Sequence, residues 1–315
     1  MRIVFMGTPI FAVSSLKALA ESGKHDIVAV ITQPDRPRGR GKKMLMTPVK
    51  EYALAKNYKV YQPIKVKTPE FVQFLESLNP EIIVVAAFGQ LLNQPILSIP
   101  HFGCINVHAS LLPKYRGAAP IHYAIMQGEK TSGVTIMQMD IGMDTGPMLA
   151  QTSVSIGENT TNGELHDQLA AKGAELLLKV IDDIAVGTAH AIPQDGQKAT
   201  YARLLDRSME RIDWTKSAWQ IHNLIRAFNP SPSTFTTLPD GKHLKIWASL
   251  LTDKSSAAQP GTVVAAGRSG LYVACGEGVL ELTEVQPEAK KRMSAHVFLN
   301  GHSIHEGIVL GNNKL

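Results

Sequence analysis

The chain has few of the residues from which disulfide frameworks and metal sites are built. Only two cysteines occur among its 315 residues, and Cys104 and Cys275 lie far apart. Such a pair cannot form a disulfide framework or a four-thiolate zinc site, and it favours buried thiols in a reducing compartment. No apolar run approaches the roughly 20 residues that span a bilayer, and the N-terminus MRIVFMGTPIF has no targeting pattern. We therefore expect a cytoplasmic protein.

Several common catalytic and nucleotide-binding motifs are also missing. The sequence contains no Walker A loop, no HExxH, no paired CxxC and no GxSxG. Its first turn, MGTPIF, has one glycine where a dinucleotide-binding turn has three, so a dinucleotide site is not expected. The net charge of +5 is only weak evidence for a polyanionic partner, because many enzymes are mildly basic.

Apolar strand-like segments alternate with helical patterns in the first part of the chain. The predicted strands are 2–6, 26–32, 81–88, 104–110, 133–140 and 148–156, and the predicted helices begin near 10, 48, 69 and 160. This alternation is typical of βαβ units and predicts an α/β domain with a mostly parallel sheet. Ligands of such sheets bind beyond the carboxyl ends of the strands.

The composition changes after Gly187. Residues 188–207 are polar and show no periodicity, which is typical of a linker. One helix and several short strands punctuated by glycine follow, a pattern that predicts a small all-β barrel or sandwich. We therefore predict a domain at 1–187, a linker at 188–207 and a second domain at 208–315.

A basic segment, PDRPRGRGKK, occupies residues 34–43. It contains one acid and five cations, namely Arg36, Arg38, Arg40, Lys42 and Lys43. With two prolines, two glycines and no apolar residue, it cannot bury itself as a helix or strand, and we expect a mobile basic loop. Lys114 and Arg116, in a later loop, either extend this basic surface or lie in solvent.

The segment NVHASLLPKYRGAAP carries the residues best suited to chemistry. Asn106 and His108 lie on one face of a predicted strand because side chains alternate along it. Asp144 follows in a turn, DIGMDTGP, that two glycines and a proline make irregular. An amide, an imidazole and a carboxylate suit acyl transfer to an amine, since the first two stabilise an oxyanion and the third accepts a proton. Spacing alone leaves open that these are an ordinary hydrogen-bonded pair and a turn-forming aspartate.

The stretch INVHASLLPKYRGAAPI and the later DIGMDTGP resemble the signature of the folate-dependent formyltransferases. MRIVFMGTPIFA, ITQPDRPRGRGKK, RAFNP and FLNGH match as well, so the resemblance covers the full chain. It is closest to the bacterial-type branch that formylates the methionine of initiator Met-tRNA. The resemblance implies a Rossmann-like catalytic domain, a C-terminal OB-like barrel that binds tRNA, 10-formyltetrahydrofolate as co-substrate and no metal.

The resemblance also implies roles for particular residues. It makes Asn106, His108 and Asp144 the catalytic residues. It places the folate donor against two short stretches: Ser110, Leu111, Leu112 and Pro113, and then Phe88, Gly89, Leu91 and Leu92. The basic loop would enter the acceptor stem, with Arg40 at the position that matters most. After RAFNP the family usually has a tryptophan and a glycine, whereas this chain has Ser231, Pro232 and Ser233.

Two alternatives remain at this point. A formyltransferase acting on a UDP-linked amino sugar would share the three catalytic residues and a related C-terminal domain, but it would have no use for a basic loop. A non-catalytic RNA-binding protein on a transferase scaffold would have no use for an intact set of Asn106, His108 and Asp144.

Overall fold

The computed structural model describes residues 1–38 and 43–311, with all side chains except those of Arg38 and Lys43. The strands are β1 (Arg2–Gly7), β2 (Asp26–Ile31), β3 (Arg36–Arg38), β4 (Lys43–Leu45), β5 (Val60–Tyr61), β6 (Ile82–Ala86), β7 (Cys104–His108), β8 (Arg116–Gly117), β9 (Thr131–Gln138), β10 (Met148–Ser155), β11 (Tyr201–Ala202), β12 (Thr234–Thr237), β13 (His243–Leu251), β14 (Val263–Gly267), β15 (Gly270–Ala274), β16 (Val279–Pro287) and β17 (Met293–Ser294). The helices are α1 (Ile10–Glu21), α2 (Pro48–Ala55), α3 (Pro69–Ser77), α4 (Gln94–Leu97), α5 (Pro120–Met126), α6 (Asn162–Ala185), α7 (Ala218–Ala227) and α8 (Ala295–Gly301).

A seven-stranded sheet with the order β10-β9-β7-β6-β1-β2-β5 organises the first part of the chain. Strands β7, β6, β1, β2 and β5 pair in parallel, and β9 is antiparallel to β7. The chain winds outward from β1 to β5 and then returns to the other side of β1 with β6. The topological switch point therefore lies between β1 and β6, and the predicted mostly parallel sheet is confirmed.

Local sequence explains where the helices of this sheet domain begin. Thr47 and Thr68 each accept a hydrogen bond from a backbone N–H of the first helical turn, and a proline follows each of them. This is the expected combination of a capping hydroxyl and a proline at the first helical position. Strand β6 is buried along its whole length, as its continuous apolar sequence predicts.

The chain forms two compact units. The first comprises residues 1–120, 132–154 and 166–202, and the second comprises 121–131, 155–165 and 203–311 of the described residues. The first unit thus includes residues 188–202 of the predicted linker. Backbone hydrogen bonds explain this, because Ile192 exchanges two with Met148, and β11 pairs in parallel with β8.

The second unit contains an antiparallel sheet with the order β12-β13-β16-β15-β14, and β17 pairs with β16. Helix α7 begins with a capping box between Ser217 and Gln220. Its apolar face packs into a core with strand residues such as Leu244, Ile246 and Leu282. The predicted class, a Rossmann-like domain followed by a small β domain, is confirmed.

The basic segment differs from the prediction where it is described. We expected a loop without strands, but β3 and β4 form an antiparallel pair that joins Arg36 to Leu45, Pro37 to Met44 and Arg38 to Lys43. The prediction assumed that a strand must be buried. The two strands of a hairpin pair through their backbones, and neither needs to be buried. Arg40 and Lys42 lie outside the described residues.

Both cysteines are buried and free, as predicted. Burial raises the pKa of the Cys104 thiol to about 12 and that of Cys275 to about 11, so neither is a reactive thiolate at neutral pH. Among the helices of the described ranges, none is long and apolar enough to cross a membrane. The same ranges contain no cluster of three or more His, Cys, Asp or Glu side chains suited to a metal ion.

Candidate active site

A pocket of about 270 Å³ lies at the switch point of the parallel sheet. The ends of three neighbouring strands line it, with Thr8 after β1, Gln33 after β2 and Phe88 after β6. Arg36 and Leu45 of the hairpin also line it. This is where ligands of open α/β sheets bind, and the pocket combines apolar walls with a few polar groups.

Asn106, His108 and Asp144 come together one strand further along the same sheet edge. The Asn106 amide Nδ2 lies 3.5 Å from Oδ1 of Asp144, and His108 Nδ1 lies 3.6 Å from Oδ2. Both partners on β7 lie on one face of the strand, as the period of two predicted. The side chain of Asp144 is 17% exposed and that of His108 only 6%. The carboxylate therefore faces partly outward, with the imidazole behind it.

The turn that carries Asp144 is held in an unusual conformation. Asp144 has φ of 53°, in the left-handed region that costs an ordinary residue about 1–2 kcal/mol. One Asp140 oxygen accepts from Gly142 N at 3.0 Å and from Thr145 Oγ1 at 2.6 Å, which ties residues on both sides of Asp144 to the start of the turn. Gly117 N donates to Asp144 Oδ2 at 2.8 Å, which fixes the carboxylate itself.

Gly117 is required where it donates to Asp144. Its φ is 116°, and a Cβ at this position would lie 2.7 Å from the carbonyl oxygen of Ala202. Only glycine combines this conformation with so close a backbone approach. The sequence RGAAP thus brings a backbone N–H up to the carboxylate.

The imidazole of His108 is oriented from both sides. Its Nε2 lies 3.0 Å from the carbonyl oxygen of Tyr115, which can only accept, while Nδ1 faces the Asp144 carboxylate. Both ring nitrogens thus face oxygen acceptors, and an imidazolium has a donor for each. The ring lies next to both the Asn106 amide and the Asp144 carboxylate.

The loop after β7, predicted to hold folate, is fixed by polar contacts. Ser110 is fully buried and its Oγ donates to the carbonyl oxygen of Lys114 at 2.6 Å. Thr135 Oγ1 donates to Ser110 O at 2.7 Å and accepts from Leu112 N at 3.1 Å. Gln151 Nε2 donates to Leu112 O at 2.9 Å. The loop is therefore shaped by side chains of β9 and β10.

The residues after β6 divide into three kinds. Phe88 and Leu92 are buried in the core of the first unit. Gly89 has φ of 87°, and only the Gln33 amide comes within 4.0 Å of where its Cβ would be, so the backbone there is open to a flat ligand. Leu91 is 53% exposed. Phe88 and Gly89 line the switch-point pocket, and Leu91 and Leu92 are not among the lining residues.

The base of the basic segment is anchored to α2. Lys50 Nζ donates to Asp35 Oδ2 at 2.6 Å and to Gln62 Oε1 at 2.7 Å, and Gln62 Nε2 donates to the other Asp35 oxygen at 2.7 Å. These hydrogen bonds, first that from Lys50, lower the pKa of Asp35. Arg36 is exposed beyond this anchor. Arg116, in contrast, is 6% exposed, so it neither extends a basic surface nor lies in solvent.

Gln194 escaped prediction from the sequence, and so did the role of Arg116. Gln194 Nε2 donates to the carbonyl oxygens of Asp144 and Gly146 at 2.8 and 2.7 Å. Its Oε1 accepts from Nε and Nη2 of Arg116 at 3.1 and 2.7 Å. Gln194 lies in a polar segment without periodicity, 50 positions after Asp144, and no sequence signal marks it.

Family models match almost the whole chain. Residues 1–181 match the model described as formyl transferase, and residues 204–303 match its C-terminal domain. The chain belongs to the formyl transferase family. The match to the first model ends at residue 181, so the segment that carries Gln194 falls between the two matched regions of this formyl transferase.

Relatives of this formyl transferase are similar along their entire length. It is 49% identical over 312 residues to the methionyl-tRNA formyltransferase of Acetivibrio thermocellus, covering 99% of this chain and 100% of that one. Its identity to the Clostridium novyi protein of the same name is 50% over 311 residues, covering 98% and 100%. The crystal structure of an N-formyltransferase from Helicobacter canadensis, with folinic acid and dTDP-3-aminofucose, matches with a TM-score of 0.65 at 22% identity. That match covers 90% of this chain and 99% of the other, and it shows a shared fold.

Proposed function

We propose that this formyl transferase moves the formyl group of 10-formyltetrahydrofolate to the free amino group of methionine on initiator Met-tRNA. The observation that carries the proposal is the meeting of Asn106, His108 and Asp144 at the partly exposed sheet edge. The full-length relatives named as methionyl-tRNA formyltransferases support the choice of acceptor. The product serves translation initiation in the bacterial cytoplasm.

In the proposed reaction, the methionine nitrogen attacks the formyl carbon. The carbonyl oxygen becomes an oxyanion, for which Asn106 Nδ2 supplies a donor and the His108 imidazolium a positive charge. Asp144 takes a proton from the methionine ammonium, directly or through water, because only the neutral amine has a lone pair for the attack. The bond between the formyl carbon and N10 of the folate then breaks, N10 takes up the proton that the methionine nitrogen loses on becoming an amide, and the formyl group remains on the methionine.

For Asp144, the geometry favours both orienting and accepting. Its Oδ2 accepts from Gly117 N–H at 2.8 Å and faces His108, whereas Oδ1 makes the long 3.5 Å contact to Asn106 Nδ2. We assign orientation of the imidazole to Oδ2 and proton acceptance to Oδ1. The exposed fraction of the carboxylate supports access for an amine or a water molecule.

We assign the folate donor to the loop of Ser110, Leu111, Leu112 and Pro113 and to the strand end of Phe88, Gly89, Leu91 and Leu92. The open backbone above Gly89 suits a flat ring, and exposed Leu91 offers apolar contact. The rigid backbone of the 110–113 loop, held by Thr135 and Gln151, suits fixed hydrogen bonds to a ligand. Folate is consumed in each turnover, so it acts as a co-substrate.

We assign the acceptor tRNA to the basic segment with Arg36, Arg38, Arg40, Lys42 and Lys43, and to the C-terminal domain at 208–315 as a second binding region. The described part of the segment supports this, because the Asp35–Lys50 anchor leaves Arg36 exposed beside the switch-point pocket. Cations that contact phosphates release counterions, and a guanidinium also reaches base edges.

A test of the acceptor assignment compares Arg40→Ala with Lys172→Ala, which removes an exposed cation of helix α6 that pairs with Glu175. We expect Arg40→Ala to lower kcat/KM for Met-tRNA by about 5- to 150-fold, since one bidentate base contact is worth about 1–3 kcal/mol. Lys172→Ala should behave like the parent, and folate binding should be unchanged in both. Formylation should also weaken steeply as salt rises. A flat salt response together with an unaffected Arg40→Ala variant would favour the alternative acceptor, a UDP-linked amino sugar.

A further inference from the structure

Gln194 uses the full hydrogen-bonding capacity of its side chain next to the catalytic turn. Its two amide N–H groups go to the carbonyl oxygens of Asp144 and Gly146, and its oxygen accepts twice from Arg116. An arginine can only donate, so the Gln194 oxygen must face Arg116. The orientation of the amide is therefore fixed by chemistry, and its N–H groups must face the turn.

The backbone of this turn needs hydrogen bonds from residues outside the turn. Asp144 has a left-handed backbone, and conformations of this kind persist only when their surroundings determine them. Asp140 accepts from Gly142 N and Thr145 Oγ1, so its bonds reach residues on both sides of Asp144 but leave the carbonyl groups of the turn to other partners. Gln194 takes the carbonyls on either side of Thr145, which include that of the catalytic residue itself.

The backbone around Gln194 is itself tied to both halves of the site. Ile192 exchanges two backbone hydrogen bonds with Met148 at 2.8 Å, just after the turn. On the other side, Thr200 Oγ1 accepts from Tyr115 N at 2.9 Å, and β11 pairs with β8 next to Gly117. Residues 192–202 thus form a strap between the Asp144 turn and the loop that contacts His108 and Asp144.

We propose that Gln194 is a positioning residue, which sets the Asp144 carboxylate against Asn106 and His108 through the backbone of the turn. The inference rests on the proposed function only in taking Asp144 as catalytic. Gln194 acts through another residue, so its loss should reduce kcat and leave the KM values of the formyl donor and Met-tRNA nearly unchanged. Misplacement of a catalytic group by about 1 Å can cost about 100-fold in rate.

The test uses Gln194→Glu and Gln194→Ala in the full-length protein. Glutamate still accepts from Arg116 but cannot donate to the two carbonyls, so it isolates the hydrogen bonds that matter. Gln197→Glu is the matched control, because it places the same charge on the same segment at an exposed position. We expect kcat to fall by about 100-fold in both Gln194 variants and to stay at the parent value in Gln197→Glu.

A second readout does not depend on turnover. The ring ¹⁵N signals of His108 should shift in the Gln194 variants at constant pH, since the carboxylate beside Nδ1 moves, and should not shift in Gln197→Glu. Gln194→Ala adds no charge and remains the test if Gln194→Glu unfolds. Parent-like kcat and parent-like His108 signals in Gln194→Ala would overturn the inference. If the parent itself fails to formylate Met-tRNA, the function is wrong, and the His108 signals still decide the role of Gln194.

Discussion

Two buried histidines, one in each compact unit, have similar exposure but different hydrogen-bonding partners. His108 in the first unit is 5% exposed and His222 in the second is 3% exposed. His222 has Nδ1 3.0 Å from Ser249 Oγ and Nε2 3.0 Å from the carbonyl oxygen of Glu158. A neutral imidazole satisfies both contacts, by donating to the carbonyl and accepting from the hydroxyl. His108, in contrast, faces a carboxylate at 3.6 Å.

The difference shows that burial alone does not mark a catalytic histidine. Both ring nitrogens of His222 have hydrogen-bond partners within the protein. Burial is the largest cause of the lowered pKa of its imidazole. Its neighbour Arg226 is likewise satisfied by the side chain of Asn223 and by backbone carbonyls of Gly157 and Thr160. His108, in contrast, contacts Asp144 at 3.6 Å, and the Asp144 carboxylate is partly exposed. These polar groups therefore remain able to bind a substrate. The comparison predicts that one histidine controls rate and the other stability.

The largest expected effect is that of His108→Ala on catalysis. Removal of the charge behind the oxyanion should lower kcat about 10²–10³-fold, while tRNA affinity remains near that of the parent. Single-turnover formyl transfer and a tRNA binding titration measure the two quantities. His222→Ala is the matched control, and its folded fraction should turn over nearly normally. Equal rates for the parent and His108→Ala would remove His108 from the mechanism.

A smaller effect is expected from His222→Ala on stability. The change leaves Ser249 Oγ and the Glu158 carbonyl without their buried partner, which typically costs about 1–3 kcal/mol. The free energy of unfolding, from urea titrations followed at a probe in the second unit, checks this expectation. A variant as stable as the parent would show that the His222 contacts are dispensable. It would contradict the claim that His222 serves stability whereas His108 serves catalysis.

The smallest effect is a pH dependence of the second unit. The pKa of folded His222 lies below 6.5, whereas the unfolded chain titrates near 6.5, so the unfolded state binds more protons between these values. Stability from this group is therefore complete above about pH 6.5 and declines as the pH falls toward the folded pKa. Urea unfolding between about pH 7.5 and 5.5 should show a weaker decline in His222→Ala than in the parent. Identical slopes would contradict the assignment.

The sequence was sufficient for those parts of the site that depend on local pattern. The period of two along β7 predicts that Asn106 and His108 lie on one face, and the glycines and proline around Asp144 predict an irregular turn. Both expectations are confirmed by the geometry. The strand ends converge because parallel strands share an edge, so the position of Phe88 and Gly89 at the switch point also follows from the topology.

The remaining parts depend on contacts between distant segments. Nothing near Gln194 indicates that it contacts a turn 50 positions earlier, and the polar composition of 188–207 is as typical of a linker as of a strap. The sequence alone indicates a surface cation at Arg116, and its hydrogen bonds to Gln194 become evident only in the structure. The pairing of Arg36 with Leu45 depends on a backbone register that composition does not encode.

The most direct measurement is single-turnover formyl transfer from 10-formyltetrahydrofolate with charged initiator Met-tRNA and a UDP-linked amino sugar as competing acceptors, in the parent and in His108→Ala. The account predicts formylmethionine on the tRNA, no formylated sugar, and a rate at least 100-fold lower in the variant. Formylated sugar with untouched tRNA would contradict the assigned acceptor, and an undiminished rate in His108→Ala would contradict the assigned chemistry.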